Sequence, residues 1–77
     1  DDPTNPQIQE YLGHVYFARE KFELAEKHYL KSLQLDPKYT DVRNSLADLY
    51  LSTGRFSKAE EQLKIAMDDL TYIPYYR

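Results

Sequence analysis

His14 and His28 are the only imidazoles in the chain, and with the scattered carboxylates they are the first residues to test for chemistry. A zinc site needs ligands at close spacing, such as two histidines four residues apart on one helix, or clustered thiolates. Here the two histidines lie fourteen residues apart on what read as different helices; there is no His-Glu-x-x-His and no cysteine. Both read as surface or edge residues, and no metal or other cofactor is implied. Gly13 and Gly54 are too far apart to form a loop that cradles phosphate. The run Asp36-Pro37-Lys38-Tyr39-Thr40-Asp41 scatters acids but lacks the glycine and closing glutamate of a calcium loop. Ser, His and Asp all occur, yet no spacing groups them as nucleophile, base and orienting acid. Nothing in the chain reads as an enzyme's machinery.

Composition favours a small helical scaffold instead. Seventy-seven residues make one domain, short enough that its stability is expected to be marginal. Without cysteine no disulfide can help. Thirteen Asp and Glu against ten Lys and Arg give a formal charge of -3, which argues against a nucleic-acid footprint. Charges are interspersed, as on solvated helix faces, and apolar runs are too short for a membrane span or a signal-peptide core. Only two glycines occur among many Leu, Ala, Glu and Lys, a balance that favours helix throughout. The chain opens Asp1-Asp2-Pro3 with no Met, so it is expected to be a processed or excised piece.

Four helices follow from local signals. Asn5 can cap a helix with Pro6 at its first position, and Ile8, Leu12, Val15 and Tyr16 recur at helical spacing, giving a helix over about 6–19. Phe22, Ala25, Tyr29, Leu30 and Leu33 define a second, over about 22–35, stopped by Asp36-Pro37. A third runs over about 40–53 and ends at Gly54, a natural left-handed cap. Ser57 followed by Glu60 reads as a capping box for a fourth, over about 56–69.

The second pair of helices repeats the first. Aligning residues 6–39 with 40–73 sets Leu12 on Leu46, Tyr16 on Tyr50, Phe22 on Phe56, Ala25 on Ala59 and Glu26 on Glu60. Conservative pairs surround them: Ile8 with Val42, Gly13 with Ala47, Val15 with Leu49, Lys21 with Arg55, Ser32 with Ala66, Leu33 with Met67. The identities fall largely at apolar or small positions, so the packing is repeated while the surface varies. Small residues at 13, 25, 47 and 59 are expected where paired helices cross closely, and Tyr16 and Tyr50 are expected to wedge between successive hairpins. A 34-residue helix–turn–helix period marks a solenoid.

The residues Leu12-Gly13, Tyr16, Ala25, Tyr29, Ser32 and Pro37, echoed by Leu46-Ala47, Tyr50, Ala59, Leu63 and Ala66, resemble the tetratricopeptide repeat (TPR). Departures from that pattern are Gln9 and Arg43, where the family often has an aromatic or large apolar residue, Leu63 for an aromatic, and Thr71 for the proline. The resemblance implies an all-α fold: two hairpins stacked as a short right-handed α-solenoid, a fragment of a longer array. Residues 1–5 would be the tail of a preceding repeat, 6–39 and 40–73 two full repeats, and 74–77 the start of another. Tyr72-Ile73-Pro74-Tyr75-Tyr76 then reads as the opening of a next helix. A weaker resemblance links residues 66–74 to the irregular repeat link of bacterial TPR lipoproteins of type IV pilus assembly. That would imply a periplasmic protein; without it the compartment is open, the cytoplasm included.

In this architecture the first helix of each hairpin lines the concave side. The resemblance therefore implies a binding surface of Gln7, Glu10, His14, Phe17 and Ala18 from one hairpin, and of Asp41, Asn44, Asp48, Leu51 and Ser52 from the next. Its acids would steer in a basic peptide, and Phe17 and Leu51 would anchor an apolar side chain. The carboxylate clamp of chaperone-binding members is not matched, because Glu10 and His14 stand at the first-repeat positions and Asn44 is the nearest candidate in the second. The expected function is a protein-interaction scaffold with a protein or peptide partner, no nucleic acid and no membrane insertion. The alternative is self-association through apolar flanks that an array would cover, with the 77 residues forming a homodimer.

Overall fold

The computed structural model describes residues 4–71, with side chains through residue 67. Four helices make up the architecture: α1 (Pro6–Ala18), α2 (Phe22–Leu35), α3 (Thr40–Ser52) and α4 (Phe56–Thr71), with no strand among the described residues. α1 packs on α2, α3 packs on α4, and α2 joins the two hairpins by packing on α3. Residues 1–3 and 72–77, which carry most of the expected preceding tail and the expected start of a following repeat, lie outside the described residues. So does much of the segment that resembles the pilus-assembly link.

Local chemistry explains each boundary. Asn5 adopts an extended conformation, its side chain accepts a hydrogen bond from the Gln7 amide at 2.8 Å, and Pro6 fills the first helical position. α2 stops before Asp36, whose extended backbone suits a residue preceding proline. By the 34-residue offset that proline falls on Thr71, which can stay helical, and α4 runs to Thr71 rather than stopping at 69. The capping box expected at Ser57 does not form. α4 already begins at Phe56, so Ser57 sits inside the first turn and cannot be the residue that caps it.

Both hairpins turn by the same device. Lys21 N–H donates to the Tyr16 carbonyl at 2.9 Å and Glu20 N–H to that of Phe17 at 2.9 Å. In the second hairpin Arg55 N–H donates to Tyr50 at 2.8 Å and Gly54 N–H to Leu51 at 3.3 Å. Each is a Schellman closure, with its pivot in the left-handed region: Gly54 at φ 78° and Glu20 at φ 61°. A side chain at that pivot is strained by roughly 1–2 kcal/mol, so the first turn is held by its surroundings rather than by its own preference. Replacing Glu20 with Gly is expected to stabilise the chain by about 0.5–1 kcal/mol in urea unfolding, part of the strain relief being lost to glycine's entropy. An unchanged or lower midpoint would show that no strain resides there.

The core lies between the hairpins. Ala25, Tyr29 and Leu33 from α2 meet Val42, Leu46, Ala47, Leu49 and Tyr50 from α3, with Ala59 from α4 in the same cluster. The four small sites 13, 25, 47 and 59 are all buried. At Gly13 the reason is explicit: a methyl built there would collide with the ring of Tyr29, which is itself fully buried. Tyr50 does wedge between hairpins, and its hydroxyl is taken up by a side chain. It donates to Oε2 of Glu26 on α2 at 2.8 Å, and Arg55 holds the other oxygen of that carboxylate at 3.3 Å. Burial, followed by the hydrogen bond to Glu26, pushes the Tyr50 phenol up to about 12.

The two departures at Gln9 and Arg43 are solved alike. His28 Nδ1–H donates to the buried Gln9 carbonyl at 2.8 Å, and Arg43 donates to Gln62 at 3.1 Å. Gln9 and Arg43 are equivalent by the repeat offset, and so are His28 and Gln62. A polar pair thus bridges the two helices of each hairpin where an aromatic could have packed. His28 is therefore no edge residue. It is half-buried and stacks on Tyr16 at 5.4 Å, and burial, with Lys27 and Lys31 nearby, holds its imidazole below the ordinary 6.5.

Candidate functional site

The face shared by α1 and α3 carries a polar cluster that the hairpin stacking assembles. Tyr39, in the link before α3, donates its hydroxyl to Oε1 of Glu10 at 2.5 Å. Oε2 of the same carboxylate lies 3.5 Å from Nε2 of His14, one helical turn on. Nδ1 of His14 is in turn hydrogen-bonded to the Tyr29 hydroxyl at 2.7 Å. Glu10 is thus contacted from two sides, and a run of polar contacts leads from the link before α3 through α1 to the core tyrosine of α2.

The tyrosines report the sign of their surroundings. Burial first, then the charges of Glu10 and Asp48, push the Tyr29 phenol up to about 12, against the opposing hydrogen bond from Ser45. Tyr39 is pushed up to about 12 chiefly by its bond to Glu10, with burial and the charges of Glu10, Asp41 and Asp36 adding to it. Glu10 of α1 thus lies by both rings, with Asp48 of α3 near Tyr29 and Asp41 of α3 near Tyr39. Of the ten Lys and Arg in the chain only Arg43 falls within α1 or α3, and it is turned aside to Gln62 and to the Pro37 carbonyl at 2.7 Å. Arg43 is thus the only Lys or Arg on either helix, against the acids Glu10, Asp41 and Asp48.

The residues expected to face a partner fall into three groups. Glu10 and His14 are joined directly, and Asp41 and Asp48 stand near them, exposed. Gln7, Ala18, Asn44 and Ser52 are also exposed. Phe17 and Leu51 are not brought into the acidic cluster as one apolar patch. The ring of Phe17 is half-buried, packed edge-on against Phe22 at 5.6 Å, and serves the α1–α2 turn. Leu51 opens onto a separate apolar groove of ≈ 390 Å³ shared with Phe56, Leu63 and Met67 of α4. Sequence reasoning missed Tyr39, Tyr29 and Ser45 as members of the site. Tyr39 reaches a carboxylate 29 residues away, and no local pattern signals a contact of that range.

Chemically, the cluster can hold cations and hydrogen-bond donors. Among the described residues no group of three or more His, Asp or Glu is placed to hold a metal ion, and no helix is long and apolar enough to cross a membrane. No curated protein matches the chain. The family profile described as Tetratricopeptide repeat matches residues 5–70, which is most of its length. Proteins of that kind mediate protein–protein interactions and are generally not enzymes. With its two hairpins, its 34-residue period and that match over both repeats, the chain belongs to the tetratricopeptide-repeat family.

Proposed function

We propose that the chain is a non-catalytic interaction scaffold that takes a basic peptide, with apolar side chains between its cations, along the α1/α3 face, the concave side of the family's architecture. The observation that carries this reading is the placement of Glu10 and Asp48 by Tyr29, and of Glu10 and Asp41 by Tyr39, on helices that carry a single arginine, which is turned aside to Gln62 and the Pro37 carbonyl. A one-signed face focuses its field outward and speeds the arrival of a partner of opposite sign. Gln7 and Asn44 supply exposed donors and acceptors for the peptide backbone, beside the exposed His14 ring, with Phe17 and Leu51 at the far end of the same two helices. Asp41 and Asp48 are exposed, so reversing both charges leaves the core alone. The double variant Asp41→Lys/Asp48→Lys is expected to bind a synthetic peptide alternating lysine and leucine at least about tenfold more weakly, with unchanged helicity. Equal affinity would remove the α1/α3 face from the account.

A second reading, self-association, is favoured by a different observation: Phe56, Leu63 and Met67 stand exposed together on α4. Exposed apolar residues grouped on one face mark a surface that something covers.

A further inference from the structure

The two ends of the chain are complementary to each other. α3 buries Val42, Leu46, Leu49 and Tyr50 fully, because α2 of the preceding hairpin covers them. Their equivalents on α1, namely Ile8, Leu12, Val15 and Tyr16, are only half-buried, since no helix of the described residues lies on that side. The converse holds for the second helices. Tyr29 and Leu33 of α2 are 0% and 7% exposed beneath α3, whereas Leu63 and Met67, their equivalents on α4, are 39% and 60% exposed. Phe22 is half-buried while Phe56 is 66% exposed. Among the described residues, then, nothing covers this face of α1 or the corresponding face of α4. These are the two halves of the interface it already builds once, between α2 and α3.

Resting on the self-association reading, we propose that α1 of a second copy of this chain docks on α4, continuing the stack head to tail. The polar contacts of the existing junction have counterparts at the new one. Tyr50 donates to Glu26, and Arg55 pairs with the same carboxylate. Across the copies Tyr16 takes the place of Tyr50, Glu60 that of Glu26 and Lys21 that of Arg55, so donor, acceptor and cation all match in kind. Glu60 is exposed on α4, open to this contact. Apolar partners match as well: Ile8 and Leu12 stand for Val42 and Leu46, and Met67 for Leu33. Tyr11, 66% exposed, falls on Ser45, which in the existing junction lies beside Tyr29; across the copies Tyr11 would lie against Leu63. A head-to-tail contact uses different surfaces on its two sides, so it does not close at two copies but lengthens with concentration.

Sedimentation equilibrium of the full chain tests this with two variants at exposed positions, each disabling one end. Tyr11→Glu blocks the α1 face and Met67→Glu the α4 face, and circular dichroism confirms that each stays folded. The wild type is expected to grow past the dimer mass as concentration rises from micromolar to millimolar. Each variant alone is expected to stay monomeric, while an equimolar mixture forms a 1:1 dimer that grows no further, joined through the one intact face of each. If Tyr11→Glu associates as the wild type does, the chain pairs through α4 alone; head-to-tail stacking is overturned and self-association stands. A wild type that stays monomeric throughout overturns both, and assigns the α4 face to the chain's own residues 72–77 or to another protein.

Discussion

Gly13→Ala is expected to destabilise the chain by about 2 kcal/mol or more, although alanine is the better helix former by about 1 kcal/mol. The reason is the Tyr29 ring, whose Cε1, Cδ1 and Cζ atoms occupy the space a methyl would need. That ring cannot swing away. It is wholly buried, and its hydroxyl is tied to His14. At roughly 0.05–0.15 kcal/mol per residue a chain of this length has about 4–12 kcal/mol in all, so one methyl group could remove a large part of it. The second repeat indicates the cure. There the small residue is Ala47, and the position equivalent to Tyr29 is Leu63. In a Tyr29→Leu background Gly13→Ala is therefore expected to become nearly neutral, and a double-mutant cycle in urea should show a coupling of about 1–3 kcal/mol. Additive losses would mean that the Gly13–Tyr29 fit is not what fixes the residue.

Tyr50→Ala is expected to have the largest effect of any single truncation, about 3–5 kcal/mol, because it empties the space between hairpins and strips Glu26 of its donor. Tyr50→Phe isolates the hydroxyl and should lose about 1–2 kcal/mol, since Arg55 still pairs with Glu26. The same phenol makes the fold sensitive to alkali. Tyr50, Tyr29 and Tyr39 each have a folded pKa of about 12 against the ordinary 10.0, so the fold favours the protonated form. That contribution is complete below pH 10 and is lost as pH climbs to about 12. From neutral pH to pH 10 urea midpoints should therefore be flat and above it fall steeply, and the fall should be shallower in Tyr50→Phe. A rise in midpoint over that window, or an unchanged slope in the variant, would contradict the placement of Tyr50 against Glu26.

The helical hairpins were legible because they rest on local signals: the Asn5–Pro6 start, the Asp36-Pro37 stop, Gly54 at the turn, and apolar residues at helical spacing. The paired small residues were legible because they recur at one offset. What escaped reading depends on geometry that a residue's type does not announce. Glu20 occupies the left-handed pivot that Gly54 fills in the second hairpin, yet a glutamate gives no sign of it. Ser57 and Glu60 had the spacing of a cap, but Arg55 and the Schellman turn start the helix earlier. Within the binding face the individual residues came from the family pattern, and their surroundings did not. The Tyr39–Glu10–His14–Tyr29 chain joins two helices and a link, and only folding brings its members together. Phe17 looked like a free anchor because its partner, Phe22, lies across the turn on the next helix.

Whether partners are taken on the proposed α1/α3 face is read out by an amide chemical-shift titration with the lysine–leucine peptide. Shifts are expected to concentrate at Glu10, His14, Asp41, Asn44 and Asp48, to weaken as salt is raised, and to have no counterpart of comparable size from a glutamate–leucine control peptide. Shifts confined to α2 and α4, or equal binding of the acidic control, would contradict that proposal.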